Sequence, residues 1–566
     1  MKKSKSLLLL LTLVLAVGTL LSACGSNESK NGASNGGNNA ANNAANEGDV
    51  KLAADQTLRI NLSAEPPTFD PAQAQDSQAN TVLKMMYEGL VRLDADGKEV
   101  PGAAESWDVD GTKYTFHLRK DAKWSNGDPV TAKDFVFAWE RVLSPDTQPA
   151  APYAYQLYYI KNAEEFNNGT IKDFNEVGLK ATDDYTLEVE LVNPTPYFLG
   201  LTSFYTLYPV HQSVKDDAKW ATDPSKMIVN GPFTLTNWTT GQSLEVTKND
   251  QYWDKDNIKL NKISMSLVES GATELESYRN GELDRAGAPN GEIPSDQIPI
   301  VQKELPDEYK VKGIAGTYYY QFNSKAEPFQ NAKIRKAFSM AIDRQAIVDK
   351  ITMGGQIPAY GVVPEGILGA EGEFRTEHSD KEYFQENVDE AKKLLEEGMK
   401  EEGYTKLPDI TLIHNNGEGH KKIATAAADM WKKNLGVDVK IQNQEWGVFL
   451  KNRQNLDYQI ARSGWSADFN DPMTFMDLWM TGAGNNDLGY SNPEYDKLLK
   501  DARSEADLKK RDENFAKAEE IFIKDDMAYM PIYYYTNVAL EKKNLKGVVV
   551  DYSGTIDYTR AYLTEE

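Results

Sequence analysis

The chain has 566 residues, 40% hydrophobic and 10% aromatic, with 86 acidic against 62 basic side chains and a net charge of −24. That balance argues against a nucleic-acid partner, which needs clustered Lys and Arg, while the length provides for two or three domains with ample cores. Cys24 is the only cysteine, so an internal disulfide framework, a cysteine metal cluster and a cysteine nucleophile are excluded together.

The first residues, MKKSKSLLLLLTLVLAVGTLLSAC, place Lys2, Lys3 and Lys5 before a largely apolar run from Leu7 to Leu21. This is the pattern of a secretion signal: the run is shorter than the roughly 20 residues that span a bilayer and ends in small residues at Ser22 and Ala23. Leu21-Ser22-Ala23-Cys24 looks like a bacterial lipobox, which makes Cys24 the expected lipid anchor. Residues 24–54, rich in Gly, Asn, Ala and Ser, read as a disordered tether. Folded structure is expected from about Asp55.

Strand-like and helix-like patterns then alternate without an internal repeat, which implies a mixed α/β chain. TLRINL (57–62) alternates at period two, and residues 80–93 carry Val82, Met85, Met86, Tyr87 and Leu90 at helical spacing. YTFHLR (114–119) and YTLEVEL (185–191) read as strands, with His117 on the polar face. Thr131 and Asp134 form a capping-box start for a helix whose stripe of Phe135, Ala138, Trp139 and Val142 is core. Residues 332–351 read as one long helix, and residues 420–435 as another that Gly436 ends before the strand VDVKIQ.

Enzyme chemistry finds little support. No G-x-S-x-G elbow, phosphate loop, dinucleotide fingerprint or H-E-x-x-H is present, and the five histidines are scattered. No metal or cofactor is expected, although an exported hydrolase stays open.

Three segments together resemble one family. PGAAESWDVDGTKYTFHLRKDAKWSNGDPVTAKDFVFAWERV (101–142), YYYQFNSKAEPFQNAKIRKAFSMAIDR (318–344), and GHKKIATAAADMWKKNLGVDVKIQNQEW running on to ARSGWSADFNDP (461–472) are similar to the bacterial extracellular solute-binding proteins of the oligopeptide and dipeptide class. The resemblance covers essentially everything after the tether. It implies a two-lobed, type II periplasmic-binding-protein-like fold, α/β, with a hinge and an interlobe cleft. It also implies short peptides as ligands, permease subunits of an ABC importer as partners, and a monomeric, lipid-anchored receptor on the outer face of a cell membrane, a Gram-positive one fitting best. Related proteins that take nickel, haem, oligosaccharides or signalling peptides keep other ligands open.

By that resemblance Asp468 accepts the peptide's α-ammonium group, Arg462 meets the C-terminal carboxylate, Trp465 forms a pocket wall and His420 reaches the carboxylate of longer peptides. Tyr153, Tyr320 and Asn323 complete the implied contacts. The roles suit the residue types, since a carboxylate makes a charge-assisted hydrogen bond to an ammonium and guanidinium presents a fork that fits a carboxylate. Read without the family, Arg462 and Asp468 form an ion pair in a surface loop. Ser466 and Phe469 stand where close relatives often have cysteine and tyrosine. Family topology implies three domains: a discontinuous first (residues 55–93, 212–316 and 536–566), a second (94–211) and a third (317–535).

Overall fold

The computed structural model describes residues 51–94, 97–217, 219–379 and 383–565. The leader, Cys24 and most of the proposed tether lie outside the described residues. The residues just before Asp55 already join the fold: Leu52 bridges to Thr564 and the Ala53 N–H bonds the Leu563 carbonyl at 2.9 Å.

Strand β1 (Thr57–Asn61) leads to helix α1 (Ser77–Met86), capped by Asp76, whose carboxylate accepts the Ala79 N–H at 2.8 Å. This helix starts earlier and ends earlier than its periodicity predicts. Tyr87 is extended, and Val91–Leu93 form a short strand because the Glu88 side chain is drawn into a buried cluster with Tyr252, Trp253 and Arg92. Strands β2 (Ala104–Asp110) and β3 (Lys113–Leu118) pack with α2 (Ala132–Leu143), β4 (Leu179–Asp183) and β5 (Thr186–Glu190) into a sheet of order β2-β3-β5-β4. The Thr131–Asp134 capping box starts α2, and its Phe135, Ala138, Trp139 and Val142 are buried. His117 is half-exposed on β3, 2.9 Å from Asp108.

Strands β6 (Phe233–Thr239), β7 (Ser243–Lys248) and β8 (Lys262–Ser266) return to β1, which pairs in parallel with β8 in the order β1-β8-β7-β6. A third sheet runs β9-β14-β10-β13-β11-β12. It is built from β9 (Arg285–Gly287), β10 (Tyr309–Phe322), β11 (Ile410–Asn415), β12 (Val439–Gln444), β13 (Ile460–Ser466) and β14 (Tyr529–Glu541). The expected helix over 332–351 is divided: α3 (Ala332–Met340) stops, and Asp343 caps a new turn at Arg344–Ile347. Arg344 causes the break, because its buried guanidinium bonds the Ser339 and Pro531 carbonyls. Helix α4 (Glu418–Leu435) joins β11 to the parallel strand β12 and ends at Gly436, whose φ of 71° lies in the left-handed region.

Residues Lys51–Glu566 pack as one unit. The two long strands β10 and β14 pair along most of their length, but the ladder shifts register between Gly313, opposite Thr536, and Thr317, opposite Tyr534. No helix among the described residues is long and apolar enough to cross a membrane.

A candidate ligand cavity between the lobes

Strand β13 positions the first charge. Its antiparallel pairing with β10 sets Arg462 opposite Tyr320 and Gly464 opposite Tyr318, so these four residues share one face of the sheet. The Arg462 guanidinium lies 4.9 Å from the Tyr318 ring centre, donates to the Tyr535 hydroxyl at 2.9 Å and reaches Asn415 Oδ1 at 3.4 Å. Gly464 is required for this arrangement, since a Cβ there would sit 2.2 Å from the Tyr535 hydroxyl.

The chain leaves β13 in a loop that carries the second charge. The Asp468 N–H bonds Thr474 Oγ1 at 3.0 Å, and beyond it Asp471 caps the turn Pro472–Phe475 while accepting both Arg511 nitrogens at 2.6 and 2.7 Å. So fixed, Asp468 meets Gln156, 312 residues away in the chain, whose side-chain amide donates to it at 2.8 Å. Burial, with Asp477 as a nearby like charge, pushes the Asp468 carboxyl well above the usual carboxylate range. Its neighbour Phe469 stacks on Tyr197 at 4.7 Å and 9°.

Arg462 and Asp468 both line a cavity of about 460 Å³, joined by Trp465, Tyr153 and His420. Tyr153 packs in an aromatic cluster with Phe204 and Tyr205 and lies 6.0 Å from Trp465. His420, in the first turn of α4, is held well below its usual pKa by burial and by the positive charge of Arg462, so the imidazole is neutral there. Its Nδ1 lies 3.3 Å from the Tyr318 hydroxyl.

Two expected contacts do not reach the cavity. Tyr320 is fully buried against Trp431 of α4, because the helix covers the sheet face at that point of the strand. Asn323, just past β10, donates its amide to the Leu456 and Tyr458 carbonyls and holds the start of β13 in place. Ser466 is exposed on the cavity lining. Several lining residues carried no local signal in the sequence, among them Glu292, Trp446 and Trp479; Gln156 met Asp468 without one. Tyr533 and Tyr535 line the cavity as well and were not singled out in the sequence.

Among the described residues Arg462 and Asp468 form no ion pair with each other or with any other side chain, whereas Lys84–Asp551 and Arg453–Asp487 in the same cavity are paired. The surface ion pair is therefore not what the loop builds. A half-buried cation and a half-buried carboxyl group kept apart in one cavity each retain an electrostatic demand that a zwitterionic guest can meet. No group of His, Cys, Asp and Glu with metal-holding geometry occurs among the described residues.

The oligopeptide-binding protein OppA of Bacillus subtilis is 44% identical to this chain over 573 residues, covering 99% of this chain and 100% of its own length. A crystal structure of Haemophilus influenzae OppA in complex with RPPGFSPFR superposes with a TM-score of 0.84 at 37% identity, over 91% of this chain and 100% of that one. The Escherichia coli murein tripeptide-binding protein MppA, 32% identical, gives 0.84 in one structure (91% of this chain, 100% of that one). In its unliganded open form it gives 0.60 (91% and 99%), so the lobes here depart from the open arrangement. The family model for bacterial extracellular solute-binding proteins, family 5 Middle, matches residues 98–487. With that match and these full-length similarities, the chain belongs to the bacterial extracellular solute-binding proteins of family 5.

Proposed function

We propose that this protein is the peptide-capturing component of an ABC importer, taking short peptides by their charged ends and backbone, and that it is not an enzyme. The observation that carries the reading is the separation of Arg462 from Asp468 on one cavity wall, both without ion-pair partners among the described residues. An ammonium at Asp468 and a carboxylate at Arg462 supply the missing charges, and all peptides with free termini offer both. Trp465 and Tyr153 close over the backbone between them, and His420 serves the carboxylate of longer peptides. Relatives named as oligopeptide-binding proteins and a homologous complex with a peptide support the same ligand class.

The register break between β10 and β14 is the hinge in this reading, dividing a first lobe (55–93, 212–316 and 536–566, with 94–211 packed on it) from a second (317–535). A ligand shifts the open and closed populations only by its differential affinity for them, so contacts from both lobes are what make closure report occupancy. Lipid on Cys24 and the tether keep a monomeric receptor near its permease on the outer membrane face, raising effective concentration without a membrane span. Mass spectrometry of small molecules released by denaturing the purified protein tests the reading. A mixture of short peptides with free termini supports it; a sugar, a metal chelate or a haem in their place sinks it.

A further inference from the structure

The cavity holds one more charge that the terminal anchors do not answer. Glu292 follows β9 on a loop that Glu274 fixes: one Glu274 oxygen accepts the Gly287 N–H at 2.7 Å and the other the Glu292 N–H at 3.0 Å. A Cβ on Gly291 would come within 2.1 Å of the Glu274 carboxylate, so the tight approach needs glycine. From this loop the Glu292 side chain crosses to α4, where Oε2 accepts the Gly419 N–H at 3.2 Å. Gly419 also lacks a Cβ where one would lie 2.5 Å from Oε1.

No cation pairs with Glu292 among the described residues. Lys422, on the next turn of α4, is held by Asp296 at 2.9 Å and Ser295 at 3.3 Å. Oε1 accepts no hydrogen bond among the described residues, and Glu292 lines the cavity. It stands on the Arg462 side: Glu292 bonds the Gly419 N–H, and the next residue in the helix, His420, lies 3.3 Å from the hydroxyl of Tyr318, the ring that Arg462 covers. Across the whole lining, Asp76, Glu269, Glu292, Asp468, Asp487 and Asp551 face only Lys84, Arg453 and Arg462 as cations. A zwitterionic peptide adds no net charge and leaves that excess in place.

We infer that Glu292 is a specificity-determining residue that accepts a lysine or arginine side chain of the bound peptide. The inference rests on the peptide reading above. Because Arg462 takes the C-terminal carboxylate and Asp468 the ammonium, the cation beside Glu292 comes from a side chain and not from a terminus. The free oxygen, the half-buried setting and the glycines that admit the carboxylate leave the group open to a charge-assisted contact from a bound cation.

The test is calorimetric titration of the full chain with tetra-alanine and with the four peptides that place one lysine in that frame, for wild type, E292Q and E292K. Glu292→Gln keeps an oxygen for the Gly419 N–H and removes only the charge. The expected result is one lysine position binding about tenfold tighter than tetra-alanine in wild type, an advantage that E292Q abolishes while tetra-alanine affinity stays within about twofold. E292K should reverse the preference toward glutamate at that position. The inference is overturned if E292Q keeps the lysine advantage or weakens every peptide equally, the latter marking a purely structural role. If wild type binds none of the peptides, the peptide reading itself falls and takes this inference with it, a result distinct from normal tetra-alanine binding without a lysine preference.

Discussion

Replacing Asp468 with Asn removes the charge but preserves an oxygen for the Gln156 amide, now 2.8 Å away, and the Asp468 N–H bond to Thr474. Two opposite charges at about 2.8 Å attract by about 6 kcal/mol in an effective dielectric of 20. Part of that is spent in ionising a carboxyl that burial holds well above its usual range, which leaves about 2–5 kcal/mol of affinity, or roughly 30- to 4,000-fold in Kd. Calorimetry with a free peptide and its N-acetylated twin isolates the pair. Acetylation should cost wild type that full amount and the D468N protein almost nothing, because the coupling exists only when both charges are present. Equal losses on acetylation in the two proteins, or D468N binding the free peptide within about threefold of wild type, would refute the assignment of Asp468 to the ammonium.

Gly464→Ala places a methyl against the Tyr535 hydroxyl and displaces the partner of Arg462; peptide affinity should fall at least tenfold in calorimetry while thermal stability drops only modestly. Arg511→Met leaves Asp471 as a buried, uncompensated carboxylate and should cost about 3–5 kcal/mol in denaturant unfolding; a loss below about 1 kcal/mol would contradict the burial argument. Burial raises Glu274 and Asp477 to about 7, and Asp76 to about 6. The folded state thus binds these protons more tightly than the unfolded chain, whose carboxyls titrate near pH 4, so their contribution to stability grows as pH falls from about 7.5 toward 5. The melting temperature should be higher at pH 5.5 than at pH 8, and E274Q should remove part of the difference, on the order of 3 kcal/mol for a shift of this size. A wild-type melting temperature that falls over that interval contradicts the sign.

Much of the local structure was legible because it is encoded locally. The Thr131–Asp134 box fixes the start of α2 within one turn, Gly436 ends α4 because it alone there tolerates a left-handed φ, and the alternation of YTFHLR gives β3. The division after Met340 was not legible: the apolar spacing runs on through Ala341 and Ile342, and the cause, an Arg344 side chain bonded to a carbonyl of Pro531 on a distant strand, leaves no periodic trace.

The same distinction governs the cavity. The composition and order of ARSGWSADFNDP by themselves determined that a cation, an indole and carboxylates stand close together, and period two determined that Tyr318 and Tyr320 share a face. Only the tertiary structure decided that Arg462 and Asp468 stay unpaired, that α4 covers Tyr320 but leaves Arg462 at the cavity, and that Gln156 and Glu292 meet partners 312 and 127 residues away. Helix caps and strand alternation act over a few residues, whereas the pairing or isolation of a buried charge depends on whatever surface the fold brings against it.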